Sequence, residues 1–170
     1  MIAQLRGSVI NADNQIIILD VQGVGYAVHV SGRTQSQLGM MGGEVTLLTE
    51  MQVREDSMTL FGFLDVAERD AFRLLITVQG VGAKAAMAIL SVLAPVDLTD
   101  AIIARDKAMV ARADGVGPKL AQRIVNELES KIGVLPVAGA PSGVVVSASG
   151  EAGSVGADAM SALINLGYGR

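Results

Sequence analysis

The chain has 170 residues, 51% of them hydrophobic and 3% aromatic, with no Trp, no Cys and one histidine. The missing Cys removes disulfides, thiolate metal sites and Cys nucleophiles together, and the single His29 removes multi-His metal sites and His-based catalysis. A net charge of −4 and a pI near 4.9 exclude a uniformly basic DNA-binding domain.

The charge is unevenly divided. Residues 1–64 carry three basic and six acidic side chains, residues 65–133 carry nine of each, and residues 134–170 carry one and two. The cations are therefore concentrated in the middle of the chain. Apolar runs such as Leu74 to Val78 and Ala85 to Leu90 are too short for a membrane span. The opening Met1-Ile2-Ala3-Gln4-Leu5-Arg6 has no basic region leading into a signal-type core. A cytoplasmic, soluble protein is expected.

The first 64 residues read as β structure. Candidate strands are Met1 to Ile10, Gln15 to Val21, Tyr26 to Val30, Val45 to Val53 and Met58 to Phe63, with turns at 11–14, 23–25, 31–32 and 42–43. Tyr26, Val28 and Val30 alternate with Ala27 and His29, the period of a half-buried strand; His29 reads as a strand residue. Five short strands in this length predict an OB-like β-barrel, with a five-stranded sandwich as the alternative. With so few aromatics the cores should be aliphatic, and base stacking on aromatic platforms is not expected.

At Asp65 the period becomes helical. Asp65-Val66-Ala67-Glu68 fits a capping box, with Asp65 accepting from a first-turn amide and Glu68 reaching back. Asp97 and Asp106 fit N-caps of two further helices, and Pro118 fits the first position of another. That last helix should run to about Ile132 and stop at Gly133. Residues 134–156, rich in Gly, Pro, Ser, Ala and Val, read as a flexible linker. Residues 157–170 read as a partial helical domain, too short to bury a core alone.

Within the helical segment, residues 78–90 match residues 113–125 at an offset of 35, with six of thirteen positions identical. The identities are Gly80/Gly115, Val81/Val116, Gly82/Gly117, Lys84/Lys119, Ala86/Ala121 and Ile89/Ile124. This is an internally duplicated helix–hairpin–helix pattern. The glycines permit backbone angles that side chains resist, and the valine between them anchors the bend. Each bend then presents bare backbone N–H groups at a helix start, a ready anion site. A lysine in the first turn opposes the helix dipole, and both copies carry one. A docked phosphate accounts for that, because amides and ammonium then share one anion. Arg123, one turn beyond Lys119, is placed for a neighbouring phosphate. The relaxed dinucleotide fingerprint around Gly80, with Asp100 twenty residues on, lacks the preceding strand that it requires. No P-loop is present, so the chain is not a motor.

Taken together, these stretches resemble the RuvA family, the Holliday-junction-binding subunits of bacterial branch-migration complexes. The resemblance runs from Met1 to Arg170. It rests on Gly23-Val24-Gly25-Tyr26 with His29, on Val53-Arg54-Glu55-Asp56 followed by Leu60-Phe61-Gly62-Phe63, on both Gly-Val-Gly bends, and on Leu166-Gly167-Tyr168. It implies a multidomain β + α fold: barrel 1–64, tandem helix–hairpin–helix domain 65–133, linker 134–156, and at 157–170 the start of a ubiquitin-associated-like domain.

The resemblance also implies a role: sequence-independent binding of four-way DNA junctions in recombination and repair, with no chemistry, metal or cofactor of the chain's own. The implied DNA-binding residues are Gly80, Val81, Gly82, Lys84, Gly115, Val116, Gly117, Lys119 and Arg123. Glu55 and Asp56 would form an acidic pin near the centre of a homotetramer, repelling phosphates at the crossover. Implied partners are the RuvB hexameric ATPase, through the third domain, and the RuvC resolvase; a tetramer and a paired octamer both stay open. Two further readings are a protein-binding assembly adaptor and an accessory domain of an excision nuclease.

Overall fold

A computed structural model describes residues 1–41 and 43–131. Five strands, β1 (Gln4–Asp13), β2 (Ile16–Val21), β3 (Val24–His29), β4 (Glu44–Val53) and β5 (Met58–Phe63), close into a barrel in the order β1-β2-β3-β5-β4. β1 serves both neighbours. Its first half pairs with β4 and its second half with β2, with a register shift between Val9 and Asn11 that bends the strand. β3 and β5 close the ring in parallel through only Val28↔Leu60 and His29↔Phe61. The OB-like expectation holds, and the sandwich alternative does not.

Three local expectations are corrected. β1 continues through Asn11 to Asp13, so the connection to β2 is the pair Asn14-Gln15, both at positive φ, as a two-residue hairpin of the mirror-image turn type requires. Val24 and Gly25 belong to β3 rather than to a turn. The segment 32–41, left without an element by the sequence, is a helix, α1 (Gly32–Met41). Ser31 starts it by accepting from the Thr34 N–H at 3.1 Å.

The helical part follows as α2 (Val66–Ile76), α3 (Ala83–Val92), α4 (Pro95–Ile103), α5 (Lys107–Val110) and α6 (Pro118–Glu129). Asp65 caps α2, accepting from the Glu68 N–H at 2.8 Å. Glu68 does not reach back to complete the box. Its carboxylate is buried and turned toward α1, where it accepts from Ser31 Oγ at 2.6 Å, Thr34 Oγ1 at 2.8 Å and the Leu64 N–H at 3.4 Å. Asp106 caps α5 through the Ala108 and Met109 amides. Asp97 is not an N-cap; it lies inside the first turn of α4 and accepts from the Ala94 N–H. Pro118 opens α6 as expected, but the helix ends at Glu129. The Gly133 stop, the linker and the 157–170 segment lie outside the described residues.

Two apolar clusters form. Ile17, Leu19, Val28 and Leu47 fill the barrel. Phe72, Leu75, Ile89, Leu90, Ile124 and Leu128 fill the helical part, and this second cluster also takes Phe61 and Phe63 from β5. All three phenylalanines of the chain meet at this joint, with Phe72 centred 5.2 Å from Phe61 and 5.1 Å from Phe63. The few aromatics are thus spent where the barrel meets the helices, each contributing about 1.5–3 kcal/mol by burial. The Gly32 N–H donates to Ser91 Oγ at 2.8 Å, a polar tie beside the Glu68 one. Among the described residues, no single helix is long and apolar enough to cross a membrane.

Candidate nucleic-acid interface

The duplication seen in the sequence is repeated bond for bond in the backbone. Thr77, Val78, Val81 and Ala86 donate to Leu74, Leu75, Val78 and Gly82; Arg112, Ala113, Val116 and Ala121 donate to Met109, Val110, Ala113 and Gly117, each 35 residues later. Gly80 and Gly115 sit at φ +90 and +73, the left-handed region that glycine enters without strain. Gly82 and Gly117 do not: at φ −90 and −75 they are ordinary extended residues. A Cβ at either would meet nothing within 4 Å. The second glycine of each bend therefore keeps a surface open rather than allowing a turn. Val81 and Val116 are buried at 7% and 5% exposure and anchor the bends from inside.

The helix starts differ according to where they lie. α2 and α4 carry an acid in the first turn, and α5 has Asp106 at its cap. α3 and α6, the helices that leave the bends, have neither a side-chain cap nor a first-turn acid. Their first amides, at the positive end of the helix dipole, receive no cap side chain, and the neighbouring Lys84 and Lys119 are exposed.

The two bends are adjacent. Arg123, on α6, donates from Nη1 to the Gln79 carbonyl of the first bend at 3.1 Å. A Cβ on Gly80 would lie 3.6 Å from the same Nη1. Arg123 thus bridges the copies rather than only extending the second. Lys131 ties the far end of α6 to Thr77 Oγ1 at 3.1 Å.

Charge pairing sorts the cations. Arg6, Arg69, Arg73 and Arg105 are held by Glu44, Asp70, Glu50 and Glu129. Among the described residues, Lys84, Lys119, Arg123, Arg112 and Arg54 join no such pair, and neither do Arg33, Lys107 and Lys131. Exposed pairs contribute little to stability, about 0–1 kcal/mol, so the sorting matters chiefly for which charges remain open to an outside anion.

Glu55 and Asp56 lie at the exposed tip of the β4–β5 hairpin, whose turn is closed by the Arg54 N–H donating to the Ser57 carbonyl at 2.8 Å. Below the tip, Gln52 pairs with Thr59 and Val53 with Met58, so the hairpin has one polar and one apolar face. The polar face, with Arg54, lines a cleft of about 390 Å³ whose opposite wall includes Ala83 and Lys84 of α3. The acidic tip and the first bend therefore flank one opening.

Residues 1–62 match the family model described as the RuvA N terminal domain, and residues 72–130 match that of the SAM-like helix-hairpin-helix tandem. The chain is 51% identical over 175 residues to the Holliday junction branch migration complex subunit RuvA of Rhodopseudomonas palustris (strain BisB18), covering 100% of this chain and 84% of that protein. It is 51% identical over 177 residues to the subunit of that name from Rhodospirillum centenum, with the same coverage. The chain belongs to the RuvA family. A third relative, from Sphingopyxis alaskensis, is 53% identical over 168 residues, covering 99% of this chain and 82% of its own.

Seen as a RuvA-family fold, the sequence-derived residues fall into two groups. Gly80, Val81, Gly82, Lys84, Gly115, Val116, Gly117, Lys119 and Arg123 come together at the paired bends, while Glu55 and Asp56 stand on the barrel side of the cleft. Sequence reasoning missed Arg54, Gln52 and Thr59 as cleft residues and Glu68 as the tie between barrel and helices. The cleft unites residues from Asn14 to Met87, a span over which no local period gives a signal.

Proposed function

We propose that the chain binds four-way DNA junctions through their sugar–phosphate backbone, without sequence preference and without catalysing a reaction itself. The observation that supports this most is the duplicated bend, with two uncapped helix starts, matched hydrogen bonds, and Lys84 and Lys119 outside every ion pair among the described residues. Phosphates of an arm dock on the amides following Gly80 to Gly82 and Gly115 to Gly117, each reinforced by its lysine, with Arg123 at the seam. Val81 and Val116 act from below, holding the bends in shape. Glu55 and Asp56 act by repulsion, keeping phosphates off the centre while the bends hold the arms.

In the assembled state four copies match the near-four-fold symmetry of an open, square junction, with a second tetramer as the alternative that makes an octamer. The barrel 1–64 supplies the hub and residues 65–133 the grip. Residues 134–156 act as a tether to the domain beginning at 157–170, which recruits the RuvB ATPase for branch migration, with the RuvC resolvase on the same junction in the cytoplasm. The relatives' name, Holliday junction branch migration complex subunit, supports the junction as ligand.

A gel shift comparing four-way junction, duplex and single strand across a salt series tests the reading. Tight, steeply salt-dependent junction binding is expected, because each neutralised phosphate adds about −0.9 to the slope of log affinity against log salt. Equal affinity for junction and duplex would overturn it. Binding that junction DNA fails to compete would instead favour the adaptor reading.

A further inference from the structure

We propose that the cleft between the acidic hairpin and the first bend holds one unpaired nucleotide from the crossover of a four-way junction. This rests on reading the same face as a junction-binding surface and adds a subsite to it. The cleft measures about 390 Å³, near the lower end of the roughly 300–1,000 Å³ typical of small-ligand pockets. That is room for a nucleotide and not for a duplex.

Its walls carry the matching chemistry. Arg54 on the barrel side and Lys84 on α3 supply positive charge, and among the described residues neither is in an ion pair. Gln52 and Thr59, cross-strand partners on the polar face, and Asn14 offer donors and acceptors of the kind that read a base edge. His29, half-buried and 5.6 Å from the buried Phe61 ring where β3 meets β5, also lines the cleft.

The β1–β2 hairpin fixes one rim of the cleft. Asn14 and Gln15, both lining the cleft, sit at φ 47 and 64, a region that residues other than glycine enter at an energetic cost. Gln15 is pinned there by donating its N–H to Gln35 Oε1 at 3.1 Å and accepting from the Val30 N–H at 2.9 Å. These are the angles that the two-residue hairpin turn itself takes, and they set where both side chains stand at the cleft.

The acidic tip gives the cleft its occupant. Glu55 and Asp56 stand between Arg54 and Ser57, both cleft residues. A strand passing the tip is repelled at its phosphates there and attracted into the opening beside it. At a crossover, stacking is already interrupted, so unpairing is least costly there. A backbone phosphate seated without its base is the competing outcome.

The test uses the full chain and fluorescence anisotropy on three junctions: fully paired, mismatched at one crossover nucleotide, and mismatched within an arm. The crossover mismatch should bind about tenfold tighter, equivalent to about 1.4 kcal/mol of unpairing removed in advance, and the arm mismatch should give no gain. Gln52→Ala, which removes a cleft amide, and Thr59→Leu, which fills the space, should each abolish the gain, with circular dichroism checking the fold. No gain from the crossover mismatch, or a gain that survives both variants, overturns the inference while leaving junction binding standing. So does an Arg54→Ala variant whose salt slope flattens by about one unit in the absence of any gain, since that is the signature of a phosphate alone. Loss of all preference for junction over duplex would bring down both readings.

Discussion

The glycines of the second bend separate folding from binding when each is changed to alanine. Gly115 is at φ +73, and a methyl added there would meet nothing within 4 Å, so Gly115→Ala introduces backbone strain and no clash, about 1–2 kcal/mol. For a chain of this size that lowers the melting temperature by roughly 2–8 °C. Gly117, at φ −75 and ψ 164 with equally open space, accepts a methyl without strain. There, alanine is a poorer N-cap than glycine by about 0.5–1 kcal/mol, but it also reduces the freedom of the unfolded chain by about 0.4–1 kcal/mol. The two terms offset, leaving stability near wild type. The methyl nevertheless stands at the start of α6, where a phosphate approaches the amides. Gly117→Ala should therefore keep its urea midpoint and lose junction affinity by about tenfold, roughly 1.4 kcal/mol. Equal destabilisation by both substitutions would refute the strain assignment. Full junction affinity in a stable Gly117→Ala protein would refute phosphate docking at this helix start.

Three further outcomes are expected. Lys119→Ala should weaken junction binding and flatten the salt slope by about one unit; an unchanged slope removes it from the contact set. Glu55→Gln with Asp56→Asn should raise duplex affinity more than junction affinity, and an unaltered ratio in competition gel shifts would leave the repulsive tip without support. Glu68→Ala strands the Ser31 and Thr34 hydroxyls and the Leu64 N–H, so it should lose about 2–4 kcal/mol in urea denaturation, whereas a change under about 0.5 kcal/mol would show that this tie is not holding the joint.

Much of this layout was legible in the residues because its causes are local. Strict alternation marked β3, and a pair of glycines flanking a valine, repeated 35 positions on, marked both bends. What escaped depended on tertiary partners. α1 contains Gly39 and lacks charges to complement its dipole, so its own propensity is weak; contacts made by Ser31, Gly32 and Thr34 to Glu68 and Ser91 stabilise it. Glu68 fitted a capping box by spacing, but buried hydroxyls from another element competed successfully for its oxygens. The second glycines resembled the first in sequence and differ in backbone angle, a distinction that residue type does not carry. Arg123 was placed one turn from Lys119, yet its bond to Gln79 joins positions 44 apart.

The two-pair seam between β3 and β5 has a consequence for how the chain behaves in company. The strand order closes into a ring, yet only two of the six residues of β3 pair with β5, so Val24 to Ala27 make no ladder pair on that side and the strand edge there is only partly covered. The ring is only as secure as Val28↔Leu60 and His29↔Phe61. A substitution that opens this seam would bare one edge of β3 and one of β5 together, and unpaired edges of that kind are templates for pairing with other chains.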